Sequence, residues 1–520
     1  MTETKGHRVL VCGAGPAGLV TAIELARRGV EVEIVDAAEA ASPLSKAAII
    51  WRRTLEVLHG AVPVGNFLES GRVMAGIRME ADGRLLREVP FHQDSNLFPP
   101  GILLPQCETE RILTRCLEDL GVRLQRGRRV VEIIARDSAG VTVHLEDSSE
   151  TRTRHYGWVV GTDGAHSTIR HQLGLEFPGI SIDRRWVLAD LQFSNDGPDD
   201  HIRMFVGRDG MAGLFPYGGG RWRLVADGGS VTPETPRRDP DRAEVEEILA
   251  SRTKQTWQIE STPWLAEFRV NERQVERYRH GRILLAGDAA HVHSPAGGQG
   301  MNTSIQDAVN LAWKLALVQN GQASEDLIDT YDGERHAVAA AVLRGSGRML
   351  QVAMNRTRPV SMAKRWILPA LLGIGRIQRE AVRRLSEIDV HYHGGPLGTE
   401  PGDRWIGRRC PDVEIGDPKT SVYERLRDPG FKVFELGRSR VPDDDDRGGL
   451  LAGPGLDLGW VSHVARSGGI SDEARALASA LDVPSGTLVV VRPDGYLGPV
   501  TSDPDRVRAW FGSLRGGGAG

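Results

Sequence analysis

The 520-residue chain has few cysteines, no long apolar run and almost no excess charge. Its four cysteines, Cys12, Cys107, Cys116 and Cys410, form no C-x-x-C pair, which excludes a dithiol redox centre and indicates reduced thiols of the kind found in the cytoplasm. No apolar signal segment precedes the first strand, and the most apolar stretch, 366–374, is too short to span a bilayer. The net charge of -4 offers no broad positive field for nucleic acid.

Metal-binding patterns are also scarce. His291 and His293 form one H-x-H pair and His391 and His393 another, but no cysteine or carboxylate cluster accompanies them. We therefore expect no metal site, because a structural zinc ion needs four ligands. The acidic run Asp443–Asp446 is interpreted as solvated charge in a loop.

The segment 8–36 has the pattern of a strand, a glycine turn, a helix and a second strand. A buried apolar run leads into Gly13, Gly15 and Gly18 at G-x-G-x-x-G spacing. In such a unit the first glycine makes the tight turn, the second lets the backbone approach a pyrophosphate, and the third lets the helix pack on the strand. Asp36 closes the second strand, where a carboxylate accepts hydrogen bonds from an adenosine ribose. We predict a unit that binds FAD or NAD.

The rest of the chain is long enough for two or three domains. Residues 156–174 repeat the strand, turn and helix pattern, and the buried strand 282–286 precedes a glycine-rich turn and an apolar helix. Between them, residues 186–270 contain short strands separated by glycine and aspartate turns, which predicts an antiparallel sheet. Residues 71–99 predict a hairpin whose turn is Asp82-Gly83.

Three segments, in this order, carry a family resemblance: GAGPAG with Asp36, GTDGAHSTIR at 161–170 and GDAAHVHSPAGGQGMN at 287–302. Together they resemble the single-component, FAD-dependent aromatic hydroxylases related to para-hydroxybenzoate hydroxylase, in particular the phenol-hydroxylase-like and polyketide-tailoring branch. The resemblance covers roughly residues 7–390, and CPDV with VRPDGY extends it beyond residue 400.

The resemblance implies an α/β fold in three parts. A Rossmann-like FAD-binding domain would comprise residues 1–185 and 271–395, with an antiparallel-sheet substrate-binding domain inserted at 186–270. A thioredoxin-like domain would follow at 400–520, after a glycine- and proline-rich linker, 393–404. With Cys410 as its only cysteine, this last domain is expected to supply no catalytic group.

The resemblance also implies the reaction. The protein would be a cytoplasmic monooxygenase that uses FAD, NADPH or NADH, and O2 to hydroxylate a phenolic or polyketide aromatic substrate through a C4a-hydroperoxyflavin, as a monomer or homodimer. The chain has no second complete G-x-G-x-x-G, so nicotinamide would bind only transiently. The alternatives are a Baeyer-Villiger or epoxidising monooxygenase acting on a polyketide, a flavin reductase or dehydrogenase, and a flavin-bearing binding protein without turnover.

Residue roles follow from the resemblance by position. Asp288 would accept a hydrogen bond from the ribityl hydroxyls, although the same segment also reads as a plain helix cap. Pro295 would flank the flavin face on which oxygen is activated, or serve only as a turn residue. Arg53 would place a permanent cation near the flavin ring, or pair locally with Glu56. Lys46 stands where the family usually has arginine, so a bidentate contact is not expected there.

The complete set of candidate residues is as follows. Those expected to bind the cofactor are Gly13, Gly15, Ala17, Gly18, Asp36, Lys46, Arg53, Gln106, Arg111, Asp163, Gly164, Asp288, Pro295, Gly298, Gly300, Met301 and Asn302, of which Arg53 and Pro295 are also candidate catalytic residues. Those expected to line the substrate pocket, or else to be core residues, are Phe205, Phe215, Tyr217 and Trp222.

Overall fold

The computed structural model describes residues 8–515 apart from 44, 93–94, 195–199, 208–209, 233, 356, 358–359, 361–362, 393–396, 399–403, 416–419, 437–460 and 467–471. His393 and the acidic run Asp443–Asp446 lie outside the described residues, as does most of the predicted linker 393–404.

The secondary structure is mixed α/β. The strands are β1 Val9–Cys12, β2 Val32–Asp36, β3 Ile49–Trp51, β4 Arg72–Val73, β5 Gly76–Ala81, β6 Arg84–Pro90, β7 Gly101–Leu103, β8 Leu124–Arg126, β9 Arg129–Arg136, β10 Val141–Glu146, β11 Thr151–Tyr156, β12 Trp158–Gly161, β13 Gly179–Phe193, β14 His201–Gly207, β15 Gly210–Gly218, β16 Arg221–Ser230, β17 Ile259–Gln274, β18 Arg279–His280, β19 Ile283–Leu285, β20 His291–Val292, β21 Glu414–Ile415, β22 Thr420–Ser421, β23 Phe431–Leu436, β24 Val461–Arg466, β25 Thr487–Val491 and β26 Leu497–Thr501. The helices are α1 Pro16–Ala26, α2 Arg52–Leu58, α3 Val64–Leu68, α4 Gln106–Asp119, α5 Thr168–Gln172, α6 Arg242–Thr253, α7 Gly300–Gln319, α8 Asp326–Met354, α9 Leu368–Leu371, α10 Gly375–Leu385, α11 Val422–Arg425, α12 Asp472–Leu481 and α13 Pro504–Leu514.

A six-stranded sheet has β1 near its centre, in the order β18-β19-β12-β1-β2-β8. The strands from β19 to β8 run parallel, and β18 pairs antiparallel at the edge. β1 is buried along its whole length, as expected for a parallel strand covered on both faces. One large apolar core joins this sheet to α1 and α7. The predicted strand, turn, helix and second strand of residues 8–36 are confirmed.

An eight-stranded sheet has the order β20-β17-β13-β16-β15-β14-β5-β6. Its strands are antiparallel except where β14 pairs with β5. The predicted antiparallel strands of 186–270 and the hairpin turn at Asp82-Gly83, where both residues have positive φ, are confirmed. The sheet also takes in β5, β6 and β20, which lie outside 186–270, and the division into domains stays a prediction.

The C-terminal part contains a four-stranded sheet in the order β24-β23-β25-β26, followed by α13. Its apolar core includes Phe431 and Trp510 and continues into the helices of the preceding part through Trp313 on α7 and Leu327 on α8. The rings of Trp313 and Phe431 meet edge to face at 5.5 Å between centroids. The C-terminal sheet therefore shares a core with the helix that follows the 287–302 segment.

No helix in the part of the chain that the structure describes combines the length and the apolar character needed to cross a bilayer.

Candidate active site

The glycine turn after β1 passes directly against the end of β12. Gly13 has a φ of +107°, and a Cβ there would overlap the carbonyl of Thr162. A Cβ on Gly18 would overlap the carbonyl oxygen of Gly13, so α1 approaches β1 this closely only because the residue has no side chain. Close backbone packing therefore fixes the turn and the start of α1.

The start of α1 presents unpaired N–H groups to an open space. Its N-cap is Gly15, its first residue is Pro16, which has no N–H, and within the described residues no side chain caps this end. The N–H groups of Ala17 and Gly18 have no partner within the helix. A Cβ added to Gly15 would meet no described atom within 4 Å. A helix N-terminus with this geometry can receive an anionic group.

Asp36 lies at the end of β2, beside the glycine turn. One carboxylate oxygen accepts a hydrogen bond from the Ala14 N–H at 2.6 Å, and the other accepts one from the Ala38 N–H at 2.8 Å. Arg126 lies 3.9 Å from the same carboxylate. Each oxygen keeps a second lone pair, so the group can still accept a hydrogen bond from a ligand hydroxyl.

A second turn, Gly287–Ala289, follows β19. A Cβ on Gly287 would contact Ala17 of α1 at 3.2 Å and Ser304 of α7 at 3.1 Å. The glycine turn, this second turn and the start of α7 therefore converge. Asp288 is exposed at this point, and Arg170 holds the turn by donating to the Ala289 carbonyl at 3.1 Å.

The start of α7, next to this turn, is another helix N-terminus, and among the described residues no side chain caps it. Its N-cap is Gln299. The Asn302 side chain accepts from the Trp51 N–H at 2.8 Å and donates to the Ile49 carbonyl at 3.0 Å, while the Trp51 indole donates to the Gly297 carbonyl at 2.9 Å. These bonds fix the turn 295–299, which we call the proline loop, against β3. The backbone N–H groups of residues 300–302 are left without helical partners.

Asp163 and Arg111 make local contacts, whereas Gln106 bonds a segment distant in sequence. The Asp163 carboxylate accepts from the Ser167 hydroxyl at 2.5 Å and from the Ile169 N–H at 3.1 Å, next to Gly164. Gln106 accepts from the Ala47 N–H at 3.1 Å and so holds the segment after Lys46. Arg111 is about half exposed and pairs with Glu108 at 2.8 Å.

Comparison with known proteins identifies this arrangement. The family model described as "FAD binding domain" matches residues 7–346, which include both turns and the start of α7. The chain belongs to this FAD-binding family. The predicted resemblance to FAD-dependent aromatic hydroxylases is confirmed.

Similar proteins span the whole chain. The rifampicin monooxygenase of Streptomyces venezuelae is 33% identical over 98% of this chain and 99% of its own length. The 6-methylpretetramide 4-monooxygenase of Streptomyces rimosus is 32% identical over 95% of this chain and 91% of its own. Among solved structures, an aromatic hydroxylase from angucycline biosynthesis superposes with a TM-score of 0.78 at 29% identity, covering 98% of this chain and 99% of that one. The protein is a flavin-dependent monooxygenase that uses FAD, with NADPH or NADH as reductant.

The residues present fit the cofactor of the FAD-binding family. The open space at Gly15 faces an uncapped helix N-terminus, which suits a pyrophosphate. Asp36 is bonded to Ala14 beside that space, where the adenosine ribose would bind. Gly287, which precedes Asp288, packs against α1 and α7, where the ribityl chain and the flavin ring would bind. The backbone N–H groups at the two helix starts and the carboxylates of Asp36 and Asp288 are therefore suitable donors and acceptors for the two ends of FAD.

Arg53 makes its contacts mainly with the C-terminal part of the chain. The guanidinium of Arg53 is fully buried. It donates to Glu56 at 3.2 Å, to the Tyr423 hydroxyl at 3.0 Å and to the Asp494 carbonyl at 2.8 Å. It also lies 4.4 Å from the centre of the Tyr496 ring. The predicted pairing with Glu56 is present, but the remaining donors hold the C-terminal part. These contacts support the alternative of a local pair with Glu56 and favour a structural role for Arg53 over one at the flavin ring.

The aromatic candidates fall on opposite faces of the eight-stranded sheet. Phe215 and Tyr217 pack with Ile49 and Trp51, on the face toward the proline loop. Phe205 and Trp222 instead belong to a core that also contains Val245, Ile248 and Leu249 of α6. Strand residues two apart share a face, but the face that a helix covers depends on the tertiary fold. Only Phe215 and Tyr217 remain pocket candidates.

Buried charges on α7 are the main feature that sequence reasoning missed. Asp307 accepts from His291 at 2.6 Å and from Arg335 at 2.7 Å, and Lys314 donates to Glu334 at 2.8 Å. The nearby arginine and histidine hold the pKa of the buried Asp307 carboxyl below its usual value against the effect of burial. Polar residues at helical spacing in the apolar run after residue 302 were the available signal.

The described contacts give no support for a metal site at the H-x-H histidines. His291 is bonded to Asp307, and no group of three His, Cys, Asp or Glu side chains in the described ranges could hold a metal ion.

Proposed function

We propose that this flavin monooxygenase hydroxylates an electron-rich aromatic ring, phenolic or polyketide-derived. The observation that carries the proposal is the sheet face toward the proline loop, on which Met204, Phe215 and Tyr217 pack with Ile49 and Trp51. Trp51 in turn is bonded to the loop through Gly297. Further support comes from the relatives, whose names specify rifampicin and 6-methylpretetramide, both acted on by monooxygenases.

The chain's own part in the reaction is positioning, exclusion of water and stabilisation of charge. Bound FAD supplies the reduction of O2 and the transfer of one oxygen atom. The aromatic side chains of β15 would hold the substrate ring against the proline loop, and the apolar clusters on both sides of that loop would exclude water. The free N–H groups at the start of α7 would stabilise negative charge on the reduced cofactor.

The finer assignments are part of the same proposal. We propose a Rossmann-like FAD-binding domain, an antiparallel-sheet substrate-binding domain and a thioredoxin-like C-terminal domain in a cytoplasmic protein that is a monomer or homodimer. The proposed cofactor residues are Gly13, Gly15, Ala17, Gly18, Asp36, Lys46, Gln106, Arg111, Asp163, Gly164, Asp288, Pro295, Gly298, Gly300, Met301 and Asn302. Cytoplasmic location is supported by the free thiols of the cysteines, of which Cys410 is fully buried with its pKa raised to about 12 by that burial.

The function is tested by following flavin reduction and oxygen insertion together. Purified holoprotein is mixed anaerobically with NADPH or NADH, with and without 1-naphthol or rifampicin, and reduction is followed at the flavin absorption band. We expect the aromatic compound to accelerate reduction and, in air, to gain one oxygen atom by mass spectrometry. Reduction at one rate regardless of the aromatic compound, with peroxide as the only oxygen product, would support a flavin reductase instead.

Removing the Asp288 carboxylate should weaken FAD binding. Asp288→Ala is expected to raise the dissociation constant about 10- to 100-fold, because a hydrogen bond to a charged acceptor contributes about 1.5–3 kcal/mol. The measurement is fluorescence titration of the apoprotein with FAD. Asp505→Ala, which removes a carboxylate that is 83% exposed, is the matched control and should bind as wild type does. Equal affinity in all three proteins would remove Asp288 from the cofactor site.

A further inference from the structure

Glu387 is a buried carboxyl in an unusual backbone position. Its φ is +59°, in the left-handed region that non-glycine residues with ordinary side chains rarely adopt, and only 2% of the residue is exposed. Both features are unfavourable on their own, so the surrounding structure must compensate for them. Such outliers concentrate at functional sites, which makes the surroundings of Glu387 informative.

The Glu387 carboxyl is bonded to the first turns of α7. One oxygen accepts from the Thr303 hydroxyl at 3.0 Å and the other from the Gln306 side chain at 2.6 Å. Thr303 is three residues beyond Gly300, about 4.5 Å along the helix axis. The carboxyl is therefore about one helical turn from the free N–H groups at the start of α7.

The segment that carries Glu387 also holds that helix start in place. The N-cap residue Gln299 donates from its side chain to the Arg384 carbonyl at 3.0 Å, and the Arg53 N–H donates to the Ser386 carbonyl at 3.3 Å. These bonds hold the start of α7 in a fixed position. A change in the charge of Glu387 therefore acts on the N–H groups of that helix start electrostatically.

The charged groups that face Glu387 act on its pKa in opposite directions. On α7, Asp307 raises the pKa of Glu387, and on α8, Arg335 lowers it. These two residues are bonded to each other at 2.7 Å, His291 of β20 is bonded to Asp307, and the guanidinium of Arg53 on α2 is used by Glu56 and the C-terminal part. Burial is the largest influence and raises the pKa of Glu387 to about 7.

We propose that Glu387 is a positioning residue that takes up one proton from solvent when FAD is reduced, so that the start of α7 keeps its positive field while the flavin gains negative charge. The inference rests on the proposed place of the flavin at the start of α7. NADPH or NADH delivers a hydride, which is two electrons and one proton, to FAD. The additional proton passes from water to the Glu387 carboxylate, and no other oxidant or reductant is required.

The test is the pH dependence of the flavin midpoint potential in the holoprotein. If reduction raises the proton affinity of Glu387 tenfold, the wild-type potential falls by about 30 mV more between pH 6 and pH 9 than that of Glu387→Gln. Glu380→Gln, which changes an exposed glutamate of α10, is the control and should follow wild type. Parallel lines for wild type and Glu387→Gln from pH 6 to pH 9 would overturn the proposal.

Two further measurements keep the test decisive. Glu387→Gly removes the carboxyl and suits the left-handed backbone, so it should fold even if the glutamine variant does not, and it should lose the same extra slope. In the apoprotein, a raised carboxyl pKa gives a stabilising contribution that is complete below pH 4.5 and is lost as the pH rises through 7, and both variants should lack this decline. A decline in the apoprotein without the extra slope in the potential would overturn the coupling, whereas failure of wild type to bind FAD would overturn the proposed function.

Discussion

Replacing Glu334 with glutamine is expected to lower the free energy of unfolding by about 3–5 kcal/mol. Glu334 is fully buried on α8, where it accepts from Lys314 at 2.8 Å and from two nitrogens of Arg492 at 2.6 and 2.8 Å. Asp494 is the second acid in this group and bonds Arg492 at 2.6 Å. Glutamine keeps the shape of the side chain but leaves two buried cations with one carboxylate.

The loss of unfolding free energy in Glu334→Gln should become smaller as the pH rises. Burial lowers the pKa of Lys314 to about 8 even though Glu334 favours its charged form. Without Glu334 that pKa falls further, and Lys314 can relieve the unbalanced charge by losing its proton. The difference in unfolding free energy between wild type and Glu334→Gln should therefore be larger at pH 6 than at pH 9.

Chemical denaturation at several pH values measures this difference. Glu380→Gln serves as the control, because its partner Arg384 is 71% exposed and surface pairs of this kind contribute about 0–1 kcal/mol. If Glu334→Gln were as stable as the control at every pH, the ion pairs between α7, α8 and the C-terminal part would contribute nothing to stability.

Adding one methyl group at Gly15 should block the cofactor without harming the fold. Gly15 has ordinary extended dihedral angles of -73° and 179°, and an added Cβ would meet no described atom within 4 Å. Alanine is therefore compatible with the folded chain. The same methyl would occupy the space in front of α1 that we assign to the pyrophosphate. We expect Gly15→Ala to raise the dissociation constant of FAD at least about 100-fold, equivalent to about 2.7 kcal/mol.

Two other glycine variants serve as comparisons for Gly15→Ala. Gly65→Ala adds a methyl group in α3, also with open space around it, and should leave FAD affinity unchanged while keeping or slightly raising stability, because alanine favours a helix more than glycine does. Gly18→Ala should lose stability as well as FAD, because its Cβ would overlap backbone. Thermal unfolding of the apoproteins and FAD titration separate the three cases. Wild-type affinity in Gly15→Ala would place the pyrophosphate elsewhere.

Local sequence pattern was sufficient for the parts of the site that are close in sequence. The strand, glycine turn and helix of 8–36 need only neighbouring residues, so the composition and spacing of that segment determine them. The turn 295–299 and the start of α7 are likewise contiguous. Asp36 and Asp288 each end a buried strand of the same parallel sheet or follow it directly, which brings them to one edge.

Long-range contacts explain what could not be predicted. Arg53 lies in the first turn of α2, as expected, but its guanidinium is bonded to the Asp494 carbonyl, which no local window around residue 53 contains. Trp222 and Phe205 have the aromatic character of pocket residues, yet α6 covers their face of the sheet. Glu387 gave no sequence signal, because its positive φ and its burial arise only when the end of α10 packs on α7.

The bonds between α2 and the C-terminal part also affect the order in which the chain can fold during synthesis. The Arg53 guanidinium and the Asp494 carbonyl are 441 positions apart, so the ribosome produces nearly the entire FAD-binding part before this acceptor exists. Until then, the Arg53 donors that later bind Tyr423 and Asp494 have water as their partner, whereas the pair with Glu56 lies within α2 itself. Large proteins commonly fold through such partly packed intermediates. The cofactor-binding part and the C-terminal sheet therefore reach their final packing together, although the first is made long before the second.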